Sequence, residues 1–129
     1  MELPIRCFLI DDDLDDQEIF SMALQDAYNA VTCECANDGV QALEKLNLDQ
    51  AFIPHFIFID MNMPRMKGVQ CLEEIKKIDR LKHIPIYMYS TSADPSAIAQ
   101  TRQLGAADFI VKPSTIGALT STLSKLFQN

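Results

Sequence analysis

Five short apolar runs alternate along the chain with stretches of helical periodicity, and this alternation leaves few folds open. IRCFLI at residues 5–10, VTCECA at 31–36, FIFI at 56–59, IYMY at 86–89 and DFIV at 108–111 have the length and β-branched or aromatic character of strands. Between them, apolar residues recur at three- and four-residue spacing, the stripe of an amphipathic helix. The stripes are Ile19, Phe20, Ala23, Leu24 and Ala27 within 14–29, then Val40, Leu43, Leu46 and Leu48, then Val69, Leu72, Ile75 and Ile78. Ile98 and Leu104 belong to a fourth helix that Gly105 ends, and Ile116, Leu119, Leu123, Leu126 and Phe127 form a fifth. Asp38 with Gln41 at capping-box spacing starts the second helix, and Asp94 followed by Pro95 starts the fourth. Strands joined by helices form a parallel sheet with right-handed crossovers, covered on both faces. The second run alternates Val31, Cys33 and Cys35 with Thr32 and Glu34, and the fifth begins on a polar residue, so these two are predicted at the edges. The fold class is therefore α/β, a doubly wound five-stranded parallel sheet in the order 2-1-3-4-5 with five helices.

Length and charge narrow the function. A chain of 129 residues with 48% hydrophobic content is predicted to be a single domain, 1–129, with no output domain. A net charge of -7 argues against direct nucleic-acid binding, which needs a basic face. No apolar run of about 18 residues and no basic-plus-apolar leader is present, so the expectation is a cytoplasmic protein without membrane contact. Cys7, Cys33 and Cys35 lie in strand runs and Cys71 in a helical pattern, which suits reduced, buried, small apolar side chains. Zinc ligation by Cys33 and Cys35 would need further ligands that His55 and His83 do not offer at the required spacing.

In this strand order the switch point lies between strands one and three, and sites form beyond the carboxyl ends of the strands there. Asp11, Asp12 and Asp13 follow strand one, Asp60 ends strand three, Ser90, Thr91 and Ser92 stand at the tip of strand four, and Lys112 and Pro113 at that of strand five. Asp13 and Asp38 read as turn or cap residues, and Asp15, Asp16 and Glu18 as acidic groups that complement a helix N-terminus. Asp60 does not: Pro64 and Gly68 would make the following turn without it. Asp11, Asp12 and Asp60 converging in one crevice repel each other unless a cation neutralises them, and Mg²⁺ binds through one or two carboxylates while sharing a phosphate. Lys112 adds a compact positive charge and Ser90 or Thr91 a hydroxyl donor. A carboxylate nucleophile, a divalent ion, a lysine and a hydroxyl together can receive a phosphoryl group.

Asp11-Asp12, Asp60-Met61-Asn62-Met63-Pro64 with Gly68, Ser90 and Lys112-Pro113 occur in order on successive elements. In this the chain resembles the receiver domain of two-component response regulators, of the single-domain chemotaxis-regulator type, over essentially its whole length. The resemblance implies a flavodoxin-like receiver fold and a Mg²⁺-dependent switch that catalyses its own phosphorylation and dephosphorylation. Asp60 would be the phosphoacceptor. Asp12 and Asp60 would hold Mg²⁺ directly, Asn62 through its main-chain carbonyl and Asp11 mostly through water. Lys112 would pair with the phosphoryl group, Ser90 would swing in to hydrogen-bond it, and Phe109 matches the aromatic switch position. Asn62 and Ser92 occupy the positions that tune hydrolysis. The implied partners are a sensor histidine kinase or phosphotransfer protein, and a downstream protein or second copy of the chain that reads residues 94–127. A flavodoxin-like redox protein is the first rival, and DDDLDD would repel the anion that a flavin phosphate carries. A small phosphatase using Asp11 and Asp13 leaves Asp60 unexplained, and the remaining alternative is a phosphorylation-independent binding module on the same fold.

Overall fold

The computed structural model describes residues 3–128. The chain runs β1 (Ile5–Ile10), α1 (Leu14–Ala27), β2 (Val31–Ala36), α2 (Gly39–Leu48), β3 (Phe56–Asp60), α3 (Gly68–Lys76), a 3-10 turn (Asp79–Leu81), β4 (Ile86–Ser90), α4 (Pro95–Gln103), β5 (Asp108–Val111) and α5 (Ile116–Phe127). The strands form one parallel sheet in the order β2-β1-β3-β4-β5. The architecture is the doubly wound one that the strand and helix pattern predicts, with the two least apolar strands at the edges. Register pairs Ile10 with Ile59 across β1 and β3, and Asp60 with Tyr89 across β3 and β4. Asp11 and Asp60 therefore leave the sheet side by side.

Because successive strand residues face opposite ways, each central strand feeds two cores. Phe8 and Ile10, Ile57 and Ile59, Ile86 and Met88 pack against Ala42 and Leu46 of α2 and Cys71, Leu72 and Ile75 of α3. Cys7 and Leu9, Phe58, Tyr89 and Ile110 pack against Phe20, Ala23 and Leu24 of α1 and Leu119 and Leu123 of α5. Aromatic edges close the second core, with Phe20 at 4.8 Å from Phe58 and 5.3 Å from Tyr89, ring centre to ring centre.

Helix surfaces depart from the sequence expectation at several residues, and Ile116 at the start of α5 is exposed rather than buried. Ile19 is exposed, because the stripe is Phe20, Ala23 and Leu24 and its neighbour one residue back is turned about 100° away. Leu48 is exposed too, being about 200° round the helix from buried Leu46. α1 stops at Ala27 rather than running to Asn29. Of the four cysteines, Cys7 and Cys71 are buried, whereas Cys33 and Cys35 on the edge strand are only half-buried, and all four are free thiols. No helix among the described residues is long and apolar enough to cross a membrane.

Candidate functional site

The crevice at the carboxyl ends of β1 and β3 is built by three local devices. Asp13 caps α1, its Oδ1 accepting from the amides of Asp15 and Asp16, which turns the chain sharply after Asp11. Asp11 itself is fully buried, and its Oδ1 accepts from the Asp13 amide at 3.0 Å. Beyond Asp60, the Asn62 amide donates to Asp60 Oδ1 at 3.3 Å. The Gly68 amide donates to the Met61 carbonyl at 3.0 Å and closes the loop. Gly68 has to be glycine here, since a Cβ would sit 2.4 Å from the Asp60 carbonyl oxygen and 2.8 Å from Met61 Cα. Arg65 holds the loop from the other side. It adopts a left-handed conformation, φ 66°, and its guanidinium grips both oxygens of Asp38 at 2.8–3.1 Å.

Of the residues predicted for the site, Asp11, Asp12, Asp60 and Lys112 come together. One carboxylate oxygen from each of Asp11, Asp12 and Asp60 lies within 4.8 Å of the others. Oxygens on opposite sides of a Mg²⁺ ion stand about 4.2 Å apart, twice its bond length of about 2.1 Å, so the donor set suits a small hard cation. Lys112 Nζ donates to Asp11 Oδ2 at 3.0 Å and to Asp16 Oδ2 at 2.8 Å, and lies 3.7 Å from Asp60 Oδ2 and 5.0 Å from the centre of the Tyr89 ring. Its amide donates to the Ser90 carbonyl, which fixes the tip of β5 against that of β4.

Ser90, Ser92, Asn62 and Phe109 line a cavity of about 210 Å³ that also touches Met61, Asp94 and Ala97. Ser90 is buried and Thr91 exposed, so of the two hydroxyls only Ser90 faces this cavity. Ser90 Oγ accepts from the Ser92 amide at 3.4 Å. Phe109 is half-buried against the α2–α3 core.

The sequence reading missed two residues. It took Asp16 as an acidic group at a helix start, whereas its carboxylate reaches across to β5. Local pattern cannot reveal that, because the partner is 96 positions away. It assigned Asp38 to capping, and Asp38 does accept from the Gln41 amide at 2.8 Å, but it also carries the Arg65 pair.

Charge in the crevice is unevenly balanced. Burial pushes the Asp60 carboxyl up to about 6; Lys112 opposes this and the Asp11 charge reinforces it. Burial works against the charge of Lys112, but the hydrogen bonds to Asp16 and Asp11 and the charges of Asp11 and Asp60 outweigh it and hold the ammonium above the ordinary lysine value. Burial also lifts the Tyr89 phenol to about 12, so it stays neutral beside the lysine. Chemically, the crevice offers a carboxylate nucleophile, oxygen donors for a cation, one fixed positive charge and a buried hydroxyl.

Residues 7–124 match the response regulator receiver domain family. The chain is similar to the chemotaxis protein CheY of Pseudomonas aeruginosa, 32% identical over 127 residues that cover 96% of this chain and 97% of that protein. It is also similar to chemotaxis protein CheY-3 of Vibrio cholerae, 36% identical over 72% of this chain and 69% of that one. Among solved structures, the phosphorylated cyanobacterial phytochrome response regulator RcpA superposes with a TM-score of 0.86 at 26% identity, covering 96% of this chain and 91% of that one. Vibrio cholerae CheY4 superposes with a TM-score of 0.83 at 29% identity, covering 97% and 100%.

Proposed function

The chain belongs to the family of response regulator receiver domains, and from that premise we propose that it is a phosphorylation-driven switch whose acceptor is Asp60. The observation that carries this reading is the placement of Asp60 at the end of β3, beside Asp11 and Asp12 and 3.7 Å from the Lys112 ammonium. An Asp60 oxygen forms the O–P bond while the P–N bond of a donor phosphohistidine breaks, and the electron pair leaves with the imidazole. Asp11, Asp12 and Asp60, with the Asn62 carbonyl, are the residues that would hold Mg²⁺; the ion, when bound, would neutralise charge gathering on the phosphoryl oxygens. Lys112 supplies the protein's own positive charge at that point, and Ser90 a hydroxyl donor from the cavity side. Asn62 and Ser92 line the same cavity, where they would govern how water reaches the acyl phosphate.

The donor on this reading is a sensor histidine kinase or a phosphotransfer protein. The output surface is formed by α4, β5 and α5, residues 94–127, read by a downstream protein or a second copy of the chain. Two observations support that surface. The cavity lined by Met61 and Asn62, the two residues that follow Asp60, reaches Ala97 of α4 and Phe109 of β5, and α4 buries only Thr101. A helix held so lightly is one that a small change in the crevice can bias.

Incubation with Mg²⁺ and a small acyl phosphate, followed by mass measurement, tests the central claim. One phosphoryl adduct is expected, absent from Asp60→Asn. No adduct on the wild-type chain would favour a receiver fold that binds partners without phosphorylation.

A further inference from the structure

Lys112 already has two carboxylate partners before any phosphoryl group arrives. An ammonium has three N–H donors. Asp11 and Asp16 take two of them at 3.0 and 2.8 Å, while Asp60 at 3.7 Å is beyond hydrogen-bond reach. The Lys112 side chain is only 10% exposed, so the choice among these oxygens is made where water competes weakly.

Asp16 is not needed where it stands for the sake of its helix. The α1 cap does not use its side chain, since Asp13 accepts from the Asp15 and Asp16 amides. Among the described residues the Asp16 carboxylate has no other hydrogen-bond or ion-pair partner than Lys112. It also adds a fourth negative charge to a crevice that already holds three. Asp11 cannot let go in the same way, because it is fully buried and its other oxygen is occupied by the Asp13 amide. Asp16 is about a third exposed and can turn out into solvent once released.

We propose that Asp16 is a positioning residue that holds Lys112 on the α1 side of the crevice in the unphosphorylated protein, so that a phosphoryl group on Asp60 must win the ammonium from it. The proposal rests on Asp60 being the phosphoacceptor and adds what the phosphoryl group competes against. Two consequences follow. Affinity for a phosphoryl group is held below what the crevice could reach, and phosphorylation breaks a tie between the first turn of α1 and the tip of β5. The first turn of α1 thereby becomes a second element that senses the state of Asp60.

The test is a beryllofluoride titration in saturating Mg²⁺ at low salt, followed by backbone amide shifts, on the wild type, Asp16→Asn and Asp16→Glu. Asp16→Asn should bind about threefold tighter, the factor carried by one partly exposed ion pair, and Asp16→Glu, which restores the charge, should return toward wild type. Equal or weaker binding by Asp16→Asn overturns the proposal. A general relief of negative charge would also tighten binding, so the comparison is repeated in a Lys112→Ala background, where the effect of Asp16→Asn should vanish. If the same gain persists there, Asp16 does not act through Lys112 and the proposal falls. A wild type that binds no beryllofluoride and forms no acyl phosphate adduct refutes the phosphoacceptor reading itself, and the proposal with it.

Discussion

Asp60 is the residue at which burial and the proposed role oppose each other most directly. Burial lifts its carboxyl to about 6 in the metal-free protein, so the fold prefers the protonated form. The stability that this preference contributes is complete below the ordinary carboxylate value of about 4 and is lost as the pH rises through about 6. Asp60→Asn, neutral and of the same shape, should therefore be more stable than the wild type above pH 7 without divalent ions, by about 1–2 kcal/mol. Urea melts across pH should show the difference closing below pH of about 4. A wild type more stable than Asp60→Asn at pH 7.5 without metal would mean that Lys112 outweighs burial. Gly68 is the other decisive single residue. Gly68→Ala must displace main chain at Asp60 and Met61, so it should cost about 2 kcal/mol or more and slow phosphorylation. An alanine variant with wild-type melting and phosphorylation would show that the loop yields easily.

At the scale of elements, the start of α2 and the loop after β3 are held by one carboxylate. Asp38→Ala removes both the cap on the Gln41 amide and the Arg65 pair and should cost about 1–2 kcal/mol. Arg65→Gly removes only the pair and relieves a left-handed backbone, so thermal melting should find it neutral or slightly stabilised. Parallel losses in the two variants would make the ion pair, rather than the cap, the main contribution of Asp38. α4 is the α-helix that buries least, Thr101 alone, whereas α3 buries Gly68, Cys71, Leu72 and Ile75. Amides of α4 should exchange faster than those of α3, and beryllofluoride with Mg²⁺ should change protection across residues 94–112. Changes confined to the loops around Asp60 would place the route of the signal elsewhere.

For the whole molecule, the concentration of carboxylates at one end of the sheet leads to the prediction that a divalent cation raises stability. Asp11, Asp12 and Asp60 share a small volume, and among the described residues Lys112 is the one cation paired with Asp11 and Asp60. An ion that binds the folded chain and not the unfolded one stabilises it by mass action. Millimolar Mg²⁺ should raise the melting midpoint of the wild type, with a much smaller rise for Asp12→Ala. An equal rise in that variant would remove Asp12 from the donor set.

What the sequence determined by itself is the layout. Apolar runs of strand length, separated by stripes of helical period, permit only a doubly wound sheet, and the polar alternation of β2 and the polar start of β5 put those strands at the edges. Carboxyl-end residues of the strands at the switch point share a crevice, so Asp11, Asp12 and Asp60 were legible as one group, with Ser90 and Lys112 at the neighbouring strand tips. Tertiary structure alone decided which atoms meet. Whether Ile19 or Phe20 is buried depends on how α1 is rotated against the sheet, which spacing leaves open by about one residue. That Ser90 rather than Thr91 faces the cavity is decided by which of the two is turned inward where β4 ends. The Lys112–Asp16 and Arg65–Asp38 pairs join residues that no local pattern relates. Side-chain pairing across elements is a property of three-dimensional distance, and only the packed chain brings those charges within reach of each other.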